Sequence, residues 1–376
     1  MIDCAYFSRA ACRSCTWIQT PYPAQLKRKQ AQAQARLQDL QPAPIEWQTA
    51  VASPVSGMRN KAKMAVGGTI EAPTLGLWEL GKEAVDLGDC ALYSASLARY
   101  FPLIKTFIGR ARLSPYDLNQ RRGELKFVLL TEAWPDQPVM LRWVLRSTEC
   151  VDRIVKHLPW LQAQLPDDSV ISVNLQPEHK AVLEGDQEML LTPARWLPVQ
   201  FNQHQLLFGT RSFLQTNSTV AAALYAQAAE WINHCAPAQV IDLYCGVGAF
   251  AYHAAAPGRT VQAIEISSEA IAAAQAARTL NRNPQISFEC ADADAAAVAA
   301  DAELVVVNPP RRGLDRRLCS ELEQSGIRHL LYSSCNLETL ARDSERLQSF
   351  VIEKAQVFDM FPHTRHFEVL ALLRRA

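Results

Sequence analysis

The pattern of apolar and polar positions changes near residue 200. Before it, short β-like runs such as KAKMAVGG and LKFVLLTE alternate with helical segments near LYSASLARYFPLIKTFIGRA and CVDRIVKHLPWLQAQL. From Asn217 onward, strands and helices alternate to the end of the chain. We therefore predict an α+β domain over residues 51–200 and an α/β domain with a Rossmann-like, mostly parallel sheet over residues 201–376.

The last two apolar runs, FVIEKAQVFDMF and HFEVLALL, predict an antiparallel pair of terminal strands. Glu368 lies near the start of the second strand. Strand alternation favours an outward side chain at this position. If it points inward instead, its carboxylate flanks the sheet edge at which the strand RHLLYSSCN delivers Cys335.

The first 50 residues have a different character. Three cysteines form a C-x7-C-x2-C pattern, and the Gln/Ala-rich stretch PAQLKRKQAQAQARLQDLQ then predicts an exposed helix with a solvated, charged face. We expect residues 1–50 to form a cysteine-rich segment and a linker helix.

Composition narrows the class of protein. Of the 376 residues, 49% are hydrophobic, and no uninterrupted apolar run approaches the length of a membrane span. Lys plus Arg and Asp plus Glu are both 38, so global charge gives no argument for nucleic acid. We expect a soluble, cytoplasmic protein without a membrane partner, in which the ten cysteines are thiols or metal ligands rather than disulfides.

A glycine-bearing turn follows the strand VIDL in VIDLYCGVGAF. Gly246 and Gly248 allow a sharp turn and a close approach to a ligand, and Asp242 lies just before them. The next strand ends in Glu265, about 20 residues on, where nucleotide-binding folds place a carboxylate for the ribose hydroxyls. Because Ala251 breaks the G-x-G-x-x-G pattern of NAD-binding folds, S-adenosylmethionine (SAM) is the better fit.

Three further strand ends supply polar groups at the same predicted edge. Asp292 and Asp294 follow ISFEC, either to meet an adenine amino group or as part of a solvated loop. Asn308 precedes two prolines that make a rigid loop. Cys335 precedes a helix whose dipole favours the thiolate, although a cysteine at a strand end is also a common packing residue.

A thiol, a carboxylate and a methyl donor together suit methylation of uracil. C5 of uracil is a poor nucleophile until a thiolate adds to C6, and a base must then remove the C5 proton so that the thiolate can leave. Cys335 and Glu368 would supply the nucleophile and the base.

The motifs SFLQTN, DLYCGVG, NPPRRG, YSSCN and MFPHTRHFEVLALL resemble those of the SAM-dependent RNA (uracil-5)-methyltransferases, over essentially the whole chain. With its early C-x7-C-x2-C, the chain is most similar to members that methylate a uridine of 23S ribosomal RNA. The resemblance implies a class I methyltransferase fold, Cys335 as nucleophile and Glu368 as general base. It implies SAM contacts by Gln215, Tyr244, Glu265 and Asn308, beside the turn of Asp242, Gly246 and Gly248. Many relatives have Asp at 308 and Phe at 244.

The cysteine spacing alone is compatible with zinc or an iron–sulfur cluster, and it excludes the C-x3-C-x2-C pattern of radical-SAM enzymes. The resemblance implies a [4Fe–4S] cluster held by Cys4, Cys12, Cys15 and Cys90.

The implied partner is 23S ribosomal RNA, as free rRNA or an assembly intermediate, with an unpaired loop uridine as target and a monomeric enzyme. Two basic stretches are expected to contact its phosphates: Arg59, Lys61 and Lys63 in the first, and Arg121, Arg122 and Lys126 in the second.

Three other functions are compatible with parts of the sequence pattern. The enzyme could modify a uridine elsewhere in rRNA or in tRNA. It could be an amino-group methyltransferase, although Arg311 stands where that class has an aromatic residue after N-P-P. It could also be an iron–sulfur RNA-binding or redox-sensing protein on an inactive methyltransferase fold, although the thiol, the carboxylate and the glycine turn are all intact.

Overall fold

The computed structural model describes residues 2–78, 84–180, 182–294 and 302–376. Its contacts divide the chain into two compact units. The C-terminal unit contains Thr16–Val55 and Gln200–Ala376, and the central unit contains Ile2–Cys15 and Ser56–Val199. The expected N-terminal segment 1–50 is therefore split after Cys15, because the helix that follows belongs to the C-terminal unit.

The helices of the described residues are α1 (Ala5–Ser8), α2 (Tyr22–Gln38), α3 (Ala95–Ala98), α4 (Tyr100–Arg110), α5 (Val151–Gln162), α6 (Ser218–Cys235), α7 (Ala249–Ala254), α8 (Ser268–Asn281), α9 (Arg316–Gln324) and α10 (Leu337–Arg346). None of them combines the length and the apolar character needed to cross a membrane.

The strands of the same residues are β1 (Glu46–Trp47), β2 (Lys61–Gly68), β3 (Pro73–Leu77), β4 (Val85–Asp86), β5 (Leu125–Glu132), β6 (Val139–Leu145), β7 (Val170–Leu175), β8 (Gln187–Leu190), β9 (Leu197–Phe201), β10 (His204–Phe208), β11 (Gln239–Leu243), β12 (Thr260–Glu265), β13 (Ile286–Cys290), β14 (Leu304–Val307), β15 (His329–Ser334), β16 (Phe350–Phe358) and β17 (Glu368–Arg375).

The C-terminal unit is built on one sheet with the strand order β1-β16-β17-β15-β14-β11-β12-β13. Strands β11 to β15 pair in parallel, whereas β17 runs antiparallel to both β15 and β16. All residues of β14 are buried, as expected for a parallel strand covered on both faces. The predicted mostly parallel sheet with antiparallel terminal strands is confirmed.

Helix α2 packs on this unit instead of lying in solvent. Gln25, Lys29, Ala33 and Leu37 recur every four residues and are all buried. Ala33 and Leu37 belong to the same core cluster as β14 and β15. The predicted solvated, charged face is present, with Lys27 and Arg28 exposed, but the expectation of an exposed helix missed the narrow buried stripe on the other side.

The central unit has a sheet with the strand order β4-β3-β2-β5-β6-β7-β8. Most neighbours are antiparallel, and β6 and β7 are parallel, joined through α5. Phe101 and Phe107 of α4 and Ile154 of α5 form the core with Trp143 of β6. The α+β expectation for this part of the chain is confirmed.

Candidate active site

The glycine turn lies between β11 and α7. Tyr244, Gly246 and Gly248 all have positive φ, at 59°, 56° and 86°, so the backbone reverses sharply there. A Cβ on Gly248 would approach Phe288 to 2.7 Å, whereas a Cβ on Gly246 would meet nothing within 4 Å. The turn is therefore packed behind Gly248 and open beside Gly246, as a ligand cradle needs to be.

Asp242 lies in β11 directly before this turn and is fully buried. Burial raises the pKa of its carboxyl to about 8, against a smaller lowering by the backbone amide of Ala251. Neither carboxylate oxygen has a well-formed hydrogen bond among the described residues. Since buried polar groups are almost always paired, this carboxyl is suited to accept a donor from a bound molecule.

Glu265 ends β12 beside the turn. Its Oε2 accepts the amide of Gly246 at 3.1 Å, and its Oε1 accepts the amide of Ser267 at 2.9 Å. These two backbone donors fix the orientation of the carboxylate while leaving further lone pairs for a ligand. Asn308 directly follows β14, and Gln215 is buried shortly before α6.

Asp294, shortly after β13, contacts two of the motifs. Its carboxylate accepts the hydroxyl of Tyr244 and forms an ion pair with Arg312 of the NPPRRG loop. Burial and this acidic partner raise the pKa of Tyr244. The two expectations for Asp294, an adenine acceptor or a solvated loop residue, did not anticipate this link between two of the motifs.

Cys335 lies between β15 and α10 and is half-buried. Asn336 caps α10 by accepting the amide of Glu338 at 3.2 Å, and it donates to the carbonyl of Arg311 at 3.1 Å. Burial raises the pKa of the Cys335 thiol, the charge of Glu368 raises it further, and Arg311 lowers it. The expected preference for the thiolate at a helix N-terminus is therefore outweighed by burial.

Glu368 is the first residue of β17 and is only 2% exposed. Its Oε1 accepts the hydroxyl of Ser333 at 2.9 Å. Burial raises the pKa of this carboxyl to about 7, although the Ser333 hydrogen bond lowers it in part. The outward orientation favoured by alternation is wrong, because β17 lies between two strands and is buried on both faces over Glu368–Leu373.

Cys335 and Glu368 thus interact at one end of the β15–β17 pair, where Ser334 stands opposite Val369. A carboxyl with a pKa of about 7 can take up and release a proton near neutral pH, and the thiol beside it can act as a nucleophile. This pairing allows covalent addition to a substrate followed by proton removal.

The four predicted cysteine ligands belong to the central unit. Burial is the largest cause that raises the pKa of Cys15, to about 11, and the charges of Cys90, Cys12 and Cys4 contribute to this rise. Burial also raises the pKa of Cys90, and the charges of Cys12 and Cys4 contribute to this rise. The charges of the four thiols therefore act on one another, although Cys15 and Cys90 lie 75 positions apart in the chain.

The six basic residues expected on RNA differ in exposure. Lys63, Arg121 and Arg122 are exposed. Lys126 is 3% exposed and donates to Gln176 and, at 2.7 Å, to the carbonyl of Glu178, so its prediction as a phosphate contact is wrong. Burial also lowers the pKa of Lys61 to about 8, and Arg59 is half-buried near the four cysteines.

Two exposed apolar side chains beside the motifs escaped the sequence analysis. Phe213, two residues before Gln215, is 72% exposed, and Ile266, directly after Glu265, is 68% exposed. In the sequence, each is a large apolar residue close to a polar residue that is a candidate cofactor contact. The sequence pattern assigned no function to either residue.

Comparison with known proteins agrees with this geometry. The family model for tRNA (uracil-5-)-methyltransferases matches residues 194–303 and 294–376. The 23S rRNA (uracil(747)-C(5))-methyltransferase RlmC of Serratia proteamaculans (strain 568) is 47% identical over 377 residues, covering 100% of both chains. The chain belongs to the SAM-dependent RNA (uracil-5-)-methyltransferase family. RlmC of Yersinia pseudotuberculosis serotype I (strain IP32953) is 46% identical over 99% of both chains.

A solved structure supports the same family. The tRNA (uracil-54, C5)-methyltransferase of Pyrococcus abyssi, in complex with S-adenosyl-L-homocysteine, matches with a TM-score of 0.80 and 26% identity, covering 96% of this chain and 85% of that one. The class I methyltransferase fold is thus confirmed, and SAM is the cofactor of the family. Family membership also rules against an amino-group methyltransferase.

Proposed function

We propose that this methyltransferase modifies C5 of an unpaired uridine in 23S rRNA, at the position 747 named for its relatives. The observation that carries the proposal is the pairing of a half-buried thiol, Cys335, with a buried carboxyl, Glu368, whose pKa is about 7. Uracil-5 methylation requires both groups, and an amine methylation would leave the thiol unused.

In the proposed reaction Cys335 forms a bond from its sulfur to C6 of uracil, with Arg311 favouring the thiolate. After C5 has received the methyl group, the deprotonated Glu368 takes the C5 proton. The electron pair of that C–H bond restores the C5–C6 double bond and expels the thiolate. Ser333 holds the Glu368 carboxylate by a hydrogen bond of 2.9 Å.

SAM supplies the electrophilic methyl group when bound. The residues at the open side of the glycine turn fit such a cofactor, because neither oxygen of the buried Asp242 carboxyl has a well-formed hydrogen bond among the described residues and Gly246 faces open space. We propose as cofactor contacts Gln215, Asp242, Tyr244, Gly246, Gly248, Glu265 and Asn308. The exposed Ile266 offers an apolar surface for the adenine.

The target base must leave its stack to reach Cys335, and RNA-modifying enzymes offer flipped or neighbouring bases an aromatic or cationic partner. Phe213, Arg311 and Arg365 are exposed and supply such groups in the C-terminal unit. In the central unit, the exposed side chains of Lys63, Arg121 and Arg122 supply cationic groups. We infer a monomeric, cytoplasmic enzyme that acts on free rRNA or an assembly intermediate.

The donor set of Cys4, Cys12, Cys15 and Cys90 fits a [4Fe–4S] cluster, because four neighbouring thiols can each bind one iron. We propose that these cysteines hold such a cluster. Its role is structural: it would fix the segment Ile2–Cys15 on the central unit, to which that segment already belongs.

Two variants test the mechanism with SAM and 23S rRNA fragments, resolved on denaturing gels. Cys335→Ala should transfer no methyl group and form no adduct. Glu368→Gln should accumulate a covalent protein–RNA species, because elimination is blocked. Methyl transfer that survives Cys335→Ala would exclude the mechanism, and a stronger reaction with tRNA than with the 23S fragment would exclude the substrate.

A further inference from the structure

Two polar side chains of α2 are buried although they lie far from the motifs in sequence. Gln25 and Lys29 are one helical turn apart and both are fully buried. Burying an amide and an ammonium is costly unless each is hydrogen-bonded, so their partners show what the helix holds in place.

Gln25 holds His363 from two sides. Its Oε1 accepts the His363 amide at 2.8 Å, and its Nε2 lies 3.3 Å from Nδ1 of the His363 ring. The same Nε2 donates to the carbonyls of Trp17 at 3.0 Å and Thr20 at 2.8 Å. The Trp17 amide in turn donates to the His363 carbonyl at 2.8 Å, and Nε2 of His363 lies 2.7 Å from the carbonyl of Val55.

Lys29 holds the same loop at its start. Its ammonium forms an ion pair with Asp359 at 2.6 Å, with both side chains fully buried, and donates to the carbonyl of Phe361 at 3.0 Å. The Asp359 amide donates to the carbonyl of Val51 at 2.9 Å. Every one of these groups belongs to the C-terminal unit.

The loop held in this way is the connection 359–367 between β16 and β17. It leads directly into Glu368, which pairs with Phe358 across the two strands. His363 at its centre has a φ of 65°, a left-handed conformation that a non-glycine residue adopts only when its surroundings impose it. The hydrogen bonds from Gln25 and Trp17 impose it here.

We propose that Gln25 and Lys29 are positioning residues that fix the 359–367 loop and thereby set the place of the Glu368 carboxylate for proton removal. The inference rests on the proposed function, in which Glu368 acts only at elimination. Loosening the loop should therefore slow the breakdown of the covalent adduct while Cys335 still forms it. A general loss of stability would slow both steps.

The test is a single-turnover experiment with the full chain, SAM and a 23S rRNA fragment, in which adduct formation and breakdown are timed on denaturing gels. Gln25→Met keeps the size of the side chain and removes its hydrogen bonds. We expect breakdown to slow at least about tenfold, since a 1 Å misplacement can cost about 100-fold, with formation within about twofold of the parent. Gln32→Met is the matched control, an exposed glutamine on the same helix, and should change neither rate. If Gln25→Met does not fold, Gln25→Glu replaces it. This variant keeps an oxygen that accepts the His363 amide and loses the donor group Nε2.

A double variant separates positioning from a structural effect. If Gln25 acts through Glu368, adding Gln25→Met to Glu368→Gln should not lengthen the adduct lifetime further, because the two changes affect one step. The inference would be overturned if the two substitutions had independent effects that multiplied the adduct lifetime. It would also be overturned if the adduct of Gln25→Met broke down at the wild-type rate. The proposed function would still stand if Glu368→Gln accumulated adduct in the same experiment. It would fall if Glu368→Gln formed none.

Discussion

At the scale of single residues, burial sets the chemistry of Glu368. The carboxyl has lost most contact with water and keeps one hydroxyl donor, Ser333, so its pKa of about 7 lies close to the pH at which it must act. The folded state then holds a proton that the unfolded chain releases near its usual pKa of 4.5. Between those two values, the free energy of unfolding falls as the pH rises.

Ser333→Ala should shift the pH dependence of elimination to higher pH. The Ser333 hydrogen bond favours the charged form of Glu368, so its loss raises the pKa of the base, by about one unit if the bond contributes ~1.4 kcal/mol. Because the base must be deprotonated, the rate of adduct breakdown should need a more alkaline medium to reach half its maximum. The measurement is single-turnover breakdown between pH 5.5 and 9, about the range that brackets the pKa. Ser320→Ala, an exposed serine on α9, is the control, and an unchanged profile in Ser333→Ala would contradict the role of this bond.

At the scale of elements, the sequence pattern located strands well where apolar residues form a short run. KAKMAVGG and LKFVLLTE coincide with β2 and β5. The pattern failed where tertiary contacts determine which side chains are buried. The stripe on α2 is half polar, because Gln25 and Lys29 serve a loop more than 300 residues away. The direction of Glu368 depends on strands that flank β17 on both sides, and neither context is local.

The start of α10 links two motifs through Asn336, and its two functions can be separated. Asn336→Ala removes both the cap and the donor to Arg311, so the free energy of unfolding should fall by about 1 kcal/mol. Asn336→Ser keeps a capping acceptor and loses only the donor, so its stability should stay close to that of the parent. Both should slow adduct formation in the Glu368→Gln background, because Arg311 lowers the pKa of Cys335. Thermal unfolding and gel-resolved adduct rates test this, and parental adduct formation in Asn336→Ser would refute the link.

At the scale of the whole molecule, the proposed chemistry is divided between the units. Every proposed SAM contact, together with Cys335 and Glu368, belongs to the C-terminal unit, while the four clustered cysteines belong to the central unit. The sequence pattern could suggest this division near residue 200. It could not predict that residues 16–55 join the C-terminal unit, because that depends on the buried contacts of α2. Cofactor binding and the cysteine site should therefore be separable by mutation.

Cys90→Ser should remove iron without removing SAM. We expect anaerobically purified parent protein to contain iron and acid-labile sulfide in equal amounts, and Cys90→Ser to lose most of both, because one of four thiolate ligands is gone. The affinity of Cys90→Ser for SAM, measured by calorimetry, should stay within about twofold of that of the parent. Its methylation of the 23S fragment should fall, because the segment Ile2–Cys15 is no longer fixed. Cys290→Ser is the matched control, since Cys290 is an exposed cysteine of the C-terminal unit, and it should keep the full metal content. Zinc without sulfide in the parent protein would show that the cysteines form a tetrathiolate zinc site rather than an iron–sulfur cluster. An unchanged metal content in Cys90→Ser would show that Cys90 is not a metal ligand.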